Sequence, residues 1–392
     1  MRISTVLLFS LFFGVPLLGG ENNNTEFSNT SNQENLFESQ EDGQFDVSNY
    51  LDTAHGFMPV PIIITEPAIG YGGGLAMLFL HDSFGSAKEK KSPPSMTGIM
   101  AAATENGTWM GAAFHMGYWL EDSIRSTTAA GMLNVNMNFY PVDSFALDLN
   151  INGYMAYQEL MFRLGESNLF LGGNYSYVSS KIKVNSDDII GNIINIFEPK
   201  IKMGAFATIL QYDSRDTTFT PAEGVFAKAT IRRIDEHLGG DQNFWRNGAK
   251  VFYFTPILDS LILGLRAEGE TVSASGDDYI PIFSYPAISL RGIPSARYQG
   301  EHMALAEVQL RWEFINRWNL VGFGGAGKTF GTNSAGLLNT SFQNAPIHPA
   351  GGAGFRYELA RKFGMWGGMD FATSEENNFA FYFTVGSAWG AF

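Results

Sequence analysis

Residues Gly322 to Thr329 spell G-x-x-x-x-G-K-T, the spacing with which a glycine-rich loop cradles phosphate through its backbone N–H groups. That chemistry needs a strand before the loop and a helix after it, so that a helix N-terminus faces the anion. Here Trp318 to Phe330 reads as one strand, and Gly331-Thr332-Asn333-Ser334 reads as a turn with no helix behind it. The pattern therefore implies no nucleotide, and its small residues suit a smooth inner wall or a bend in a strand. Gly70 to Gly74 lacks the βαβ surroundings of a dinucleotide fingerprint. The six histidines (His55, His81, His115, His237, His302 and His348) show no ligand spacing, and with no cysteine there is neither a thiolate metal site nor a disulfide framework. No G-x-S-x-G elbow and no Ser–His–acid set is identifiable. No cofactor, metal or catalytic set is expected, and the formal charge of −14 argues against nucleic acid, which selects basic patches.

The chemistry thus recedes and the elements come forward. Alternation of period two recurs from about Phe57 onward. Leu133, Val135, Met137 and Phe139 share one face of a strand, while Asn134, Asn136 and Asn138 share the other. Leu147 to Asn152 repeats the design. Val225, Ala227, Ala229 and Ile231 oppose Lys228, Thr230 and Arg232. Ala304, Ala306, Val308, Leu310, Trp312 and Phe314 oppose Glu307, Gln309, Arg311 and Glu313. Each segment presents one lipid-compatible and one wet surface. Many run to about 10 residues, the length that crosses a bilayer at a tilt rather than the 5–6 of a soluble sandwich. Turns such as Thr104-Glu105-Asn106-Gly107 divide them, and about sixteen such segments fit before the end, an even number as single-chain bacterial barrels have.

Composition agrees. The hydrophobic fraction of 45% would suit a soluble protein, but 33 Phe together with 44 Gly would not. No run of 18 apolar residues follows the first segment, so helical spans are not expected. Residues 1–20, with Arg2 before an apolar run from Val6 to Phe13, read as a signal peptide. Residues 21–56 are rich in Asn, Ser, Thr, Gln and Glu and read as a disordered polar tail. Residues 57–392 read as one all-β domain, a transmembrane antiparallel β-barrel of about 16 strands. In its last strand Phe379, Phe381, Phe383, Val385 and Trp389 share one greasy face, Ala380, Thr384 and Gly386 share the other, and the chain stops at Phe392. Those aromatics are expected to close the barrel.

Four segments together resemble the BamA/TamA-like superfamily of outer-membrane proteins, also called bacterial surface antigens. Thr65-Glu66-Pro67-Ala68-Ile69-Gly70 is similar to the turn between that family's first two strands. Asp213, Arg215, Asp216, Phe219, Pro221 and Gly224 match its D-x-R-D-x-x-F-x-P-x-x-G turn. Leu290-Arg291-Gly292-Ile293, followed by Ala306-Glu307, resembles its Arg-Gly loop, and Gly351 to Phe392 resembles its closing run. The resemblance implies that the loop dips into the lumen and that Arg291 meets acidic groups on the inner wall, where a guanidinium favours bidentate carboxylates. Glu307 is the expected partner, with Glu268, Glu270 and Glu313 also facing inward on the alternation. The pattern departs from the family at Phe323-Gly324-Gly325-Ala326-Gly327, where an Asp often follows the Phe. It departs again in that no polypeptide-transport (POTRA) domain is expected before the barrel.

What the resemblance implies is a barrel of the cell outer membrane, in contact with lipid, with unfolded polypeptide clients and a part in outer-membrane protein assembly or translocation. The alternative is a passive pore or structural barrel without protein clients.

Overall fold

The computed structural model describes residues 37–53, 56–89, 92–142, 145–184, 200–276, 278–334, 336, 338–375 and 379–389. Sixteen long strands follow one another: β1 (Gly56–Ile64), β2 (Gly72–Leu80), β3 (Met96–Thr104), β4 (Trp109–Trp119), β5 (Ile124–Val142), β6 (Phe145–Arg163), β7 (Leu169–Val184) and β8 (Lys200–Asp213). The second half comprises β9 (Gly224–Ile234), β10 (Phe244–Leu258), β11 (Leu261–Ala274), β12 (His302–Ile315), β13 (Trp318–Thr332), β14 (His348–Ala360), β15 (Met365–Ser374) and β16 (Phe379–Val385). A two-residue bridge at Asn339–Thr340 extends β13. Helices are short: α1 (Ser48–Thr53) and α2 (Phe84–Glu89).

Every strand pairs antiparallel with its neighbour in sequence, from β1 with β2 to β15 with β16. Such a meander lets the backbone satisfy its own donors and acceptors, which lipid cannot do. The result is a nearly closed barrel: among the described residues no ladder joins β16 back to β1. Large apolar side chains, among them Ile99, Phe206, Ile231, Val308, Trp312 and Phe371, stand exposed on the outer face. The wall is uneven, with strands of 9 residues at β1 to β3 and of 19 residues at β5 and β6.

That height changes the sense of alternation in the tall hairpin. Val135, Met137 and Phe139 are buried on the inner face, and the asparagines point outward. There Asn150 Nδ2 donates to Asn134 Oδ1 at 2.9 Å and to Asn136 Oδ1 at 2.7 Å. A 19-residue strand outruns a bilayer that about 10 residues cross, so the outer face at its far end is free to be polar.

The expectation of a disordered tail to residue 56 does not hold over residues 37–53, which pack on one end of the barrel. Val47 and, from α1, Tyr50 and Leu51 join Leu80, Phe84, Ala360 and Phe363 in one apolar cluster. Arg317, in the β12–β13 turn, is fully buried beneath this segment. Its Nε donates to Asp42 at 2.6 Å and its Nη1 to Asp46 at 2.9 Å. Two aspartates of the segment read as disordered are thus ion-pair partners of the turn. The segment marks the tail end of the barrel, and the opposite end is its loop end.

Candidate functional site

The described residues between β11 and β12, 275–276 and 278–301, fold into the lumen from the loop end. Ile288, Leu290, Ile293 and Tyr298 pack with Met303 and Leu305 of the inner β12 wall, which anchors the loop by apolar burial. Gly327 of β13 makes room for it, since a Cβ there would lie 2.8 Å from Ile288. The Gly322 to Thr329 stretch is thus part of a continuous strand, as the sequence implied. At the tip Gly292 adopts φ +96, and a Cβ would stand 2.8 Å from Thr373 O on β15. Only glycine suits both that conformation and that approach.

The tip delivers Arg291 to four groups. Its Nη2 donates to Glu307 Oε1 at 2.6 Å and to Gln309 Oε1 at 3.0 Å, and its Nε reaches Glu307 Oε1 at 3.1 Å. Its Nη1 donates to Asp370 Oδ2 at 2.7 Å. The guanidinium also lies 3.5 Å over the Phe323 ring. The departure at Phe323-Gly324 is thereby explained: β13 supplies the aromatic face, while the second carboxylate comes from Asp370 on β15. Arg356 of β14 donates to the same oxygen at 2.7 Å. Asp370 is fully buried and Glu307 nearly so, which makes the charges depend on one another.

Glu307 collects further donors. Arg266 Nη1 reaches its Oε2 at 2.8 Å, and Trp389 Nε1 reaches the same oxygen at 2.8 Å. Arg266 also binds Glu268 at 3.0 Å and donates to Ser289 O of the loop at 3.0 Å. Glu268 therefore joins the network through Arg266 rather than through Arg291. Glu270 pairs instead with Arg246 at 2.9 Å. Glu313 lies apart from Arg291. It is exposed at the tail end, past which the register slips between Glu313 and Ile315, and its Oε1 accepts from Arg317 N at 3.3 Å. Alternation itself holds as far as Glu313, which pairs with the buried, inward Asn319; its place along the strand, at the end far from the loop tip, keeps it from Arg291.

The closing strand needs a similar correction. Phe379 and Phe383 are exposed on the outer face, and Phe381 stacks on Tyr71 with centroids 5.6 Å apart. Trp389 does not share that face: the strand ends at Val385, Gly386 turns the chain at φ +80, and Trp389 enters the lumen with 2% exposure. There it packs on Phe252 and Phe254. Phe392 lies outside the described residues. Tyr382, on the inner face, accepts a hydrogen bond from Gly292 N at 3.1 Å. Glu66 of the β1–β2 turn accepts one from Ser295 N of the loop at 3.1 Å, a contact across 229 residues that no local pattern could reveal.

The β8–β9 turn lies at the tail end. Arg215 pairs with Asp213 at 2.8 Å and stacks over Phe226 at 4.7 Å. Asp216 accepts from Ala222 N at 3.1 Å, Pro221 O accepts from Arg311 Nη2 at 3.1 Å, and Gly224 takes φ +104. Loop tip and turn thus bracket an internal cavity of about 950 Å³ lined by Arg291, Ser295, Arg215 and Phe219 among others.

A family model described as the Omp85 superfamily domain matches residues 105–389. Among solved structures the chain is similar to BamA from Haemophilus ducreyi lacking POTRA domains 1-3, with a TM-score of 0.60 at 12% identity, covering 98% of this chain and 77% of that one. It is also similar to CdiB from Acinetobacter baumannii, at 0.51 and 10% identity over 84% of this chain and 59% of that one. CdiB from Escherichia coli gives 0.55 at 10% identity, over 83% of this chain and 61% of that one. The chain thus spans about three fifths of the CdiB structures. At these identities the likeness is one of fold. Comparison with curated protein sequences gives no match.

Proposed function

Because this chain belongs to the Omp85 superfamily, we propose that it is an outer-membrane barrel that passes unfolded polypeptide into or across the membrane at the seam between β16 and β1. Family members reside in the outer membrane and handle polypeptide clients. The observation that carries the reading is the seam: β16 has 7 residues and β1 has 9, and no ladder joins them among the described residues. Pro59 and Pro61 are alternate residues of β1, so both missing N–H donors fall on one edge of that strand. An edge with fewer donors costs less to open. The loop held by Arg291 would keep solutes from leaking while the wall parts.

Because the chain holds no cysteine, the test is clean. Tyr71→Cys and Phe381→Cys replace two rings whose centroids are 5.6 Å apart, and a short thiol cross-linker then pins β16 to the first hairpin. Proteoliposomes carrying the protein should speed the insertion of an unfolded outer-membrane barrel client. Cross-linking should abolish the gain, and omitting the linker should restore it. A gain that survives the locked seam would sink the seam reading. No gain, with large steady conductance in planar bilayers, would favour a passive pore.

A further inference from the structure

The inner face of β9 and β10 carries a grid of cations that the loop network does not use. Lys228, Thr230 and Arg232 of β9 point inward, as do Arg246, Gly248 and Lys250 of β10. The register sets Lys228 opposite Lys250, Thr230 opposite Gly248, and Arg232 opposite Arg246. Like charges directly across a ladder repel, so such a grid needs anions close by. Three carboxylates answer part of that need. Glu159 stands 3.7 Å from Lys228, and Glu270 stands 2.9 Å from Arg246. Glu268 faces Lys250 in register but also holds Arg266 at 3.0 Å.

Arg232 is left over. Its side chain makes no hydrogen bond and no ion pair among the described residues, and its Nε is shut away from solvent without an acceptor. The Nη1 of Arg246, a residue only 8% exposed, is likewise buried and unsatisfied. Two guanidinium groups on directly opposed residues therefore hold idle donors beside one another. Gly248 adds no side chain between them. All of these side chains line the same internal cavity of about 950 Å³. A buried guanidinium donor without an acceptor is costly, and its natural complement is an oxyanion that takes two N–H groups at once.

We propose that the lumen binds an oxyanion, a phosphate or a carboxylate group, between Arg232 and Arg246, with the Thr230 hydroxyl and Lys228 at its edge. The site is independent of the seam, so a barrel that serves no polypeptide client would still bind the anion.

The full chain, purified in detergent and kept in chloride, is titrated with inorganic phosphate and separately with acetate, by calorimetry and by thermal melting. Saturable binding is expected for at least one of them. Phosphate alone would mark a phosphoryl source, and acetate binding of equal strength would mark a carboxylate source. Arg232→Gln should weaken the binding at least tenfold. In the absence of oxyanion it should change the melting temperature little, because it removes the repulsion from Arg246 together with the attraction of Glu270 and Glu159, and no side-chain hydrogen bond or ion pair. If Arg246→Gln, which also abandons its ion pair with Glu270, fails to fold, Arg232→Gln decides by itself, since the Arg232 side chain gives up no hydrogen bond or ion pair. No saturable binding of either anion, or binding untouched by Arg232→Gln in a folded barrel, would overturn the proposal.

Discussion

Arg291 illustrates how one side chain can set the state of a lumen. It is held by Glu307, Gln309 and Asp370 and lies on the Phe323 ring, so its removal leaves two carboxylates buried and undercompensated. Breaking one side of a buried ion pair costs about 3–5 kcal/mol. Arg291→Ala should therefore lower the thermal midpoint and turn a small, noisy single-channel conductance into longer and larger openings. Arg291→Lys should rescue little, because a point charge cannot serve carboxylates on β12 and β15 together. Steady conductance identical in wild type and Arg291→Ala would remove the pinning role. At this scale the sequence was informative where period-two alternation holds: Glu307 and Gln309 share the inner face of one regular strand. It was uninformative where the partner arrives from far along the chain. Asp370 is 79 residues from Arg291, and Trp389 reaches Glu307 only because the chain turns at Gly386.

The N-terminal element shows why composition misleads at the next scale. Polar, acidic residues suggested a solvated tail, yet Asp42 and Asp46 neutralise the buried Arg317, and Lys362 Nζ binds Asp52 at 2.6 Å. Disorder is inferred from a segment's own apolar content, whereas here the partners belong to turns hundreds of residues away. The hydrogen bond from Arg317 holds the Asp42 carboxyl well below the ordinary carboxylate range. Burial would raise Asp46, but hydrogen bonds from Ser48 and Arg317 outweigh it and leave that carboxyl lowered too. Depressed carboxyls stabilise the fold at pH above their unfolded value of 3.8 and lose that contribution as pH falls through the folded values. The segment should stay docked from pH 7 to pH 5 and release only below about 4. Hydrogen exchange of residues 41–53 across that range would show it, and Asp42→Asn with Asp46→Asn should bring the release to neutral pH. Protection unchanged by both treatments would mean that the Val47, Leu51 and Phe84 contacts alone hold the segment.

For the molecule as a whole, sixteen strands of about 10 residues were legible because a barrel in lipid repeats one constraint on every strand. The uneven wall and the furnishing of the lumen were not, because both depend on how strands of different length stand side by side. The cavity has lining groups at both ends: the pinned loop tip at one, and Phe84, Phe219 and Phe363 around the β8–β9 turn at the other, with ring centroids 6.0 Å and 5.5 Å apart. Two constrictions in series limit flow by the narrower one. Deleting residues 284–299 should thus raise conductance only until the tail end becomes limiting. Adding Phe84→Ala and Phe219→Ala to the deletion should raise it again, while the two alanines in an otherwise intact chain should change it little. Planar-bilayer recordings of the three variants separate the cases. If the deletion by itself gives the full conductance, the tail end is already open, and the loop held by Arg291 is the sole barrier between the two sides of the membrane.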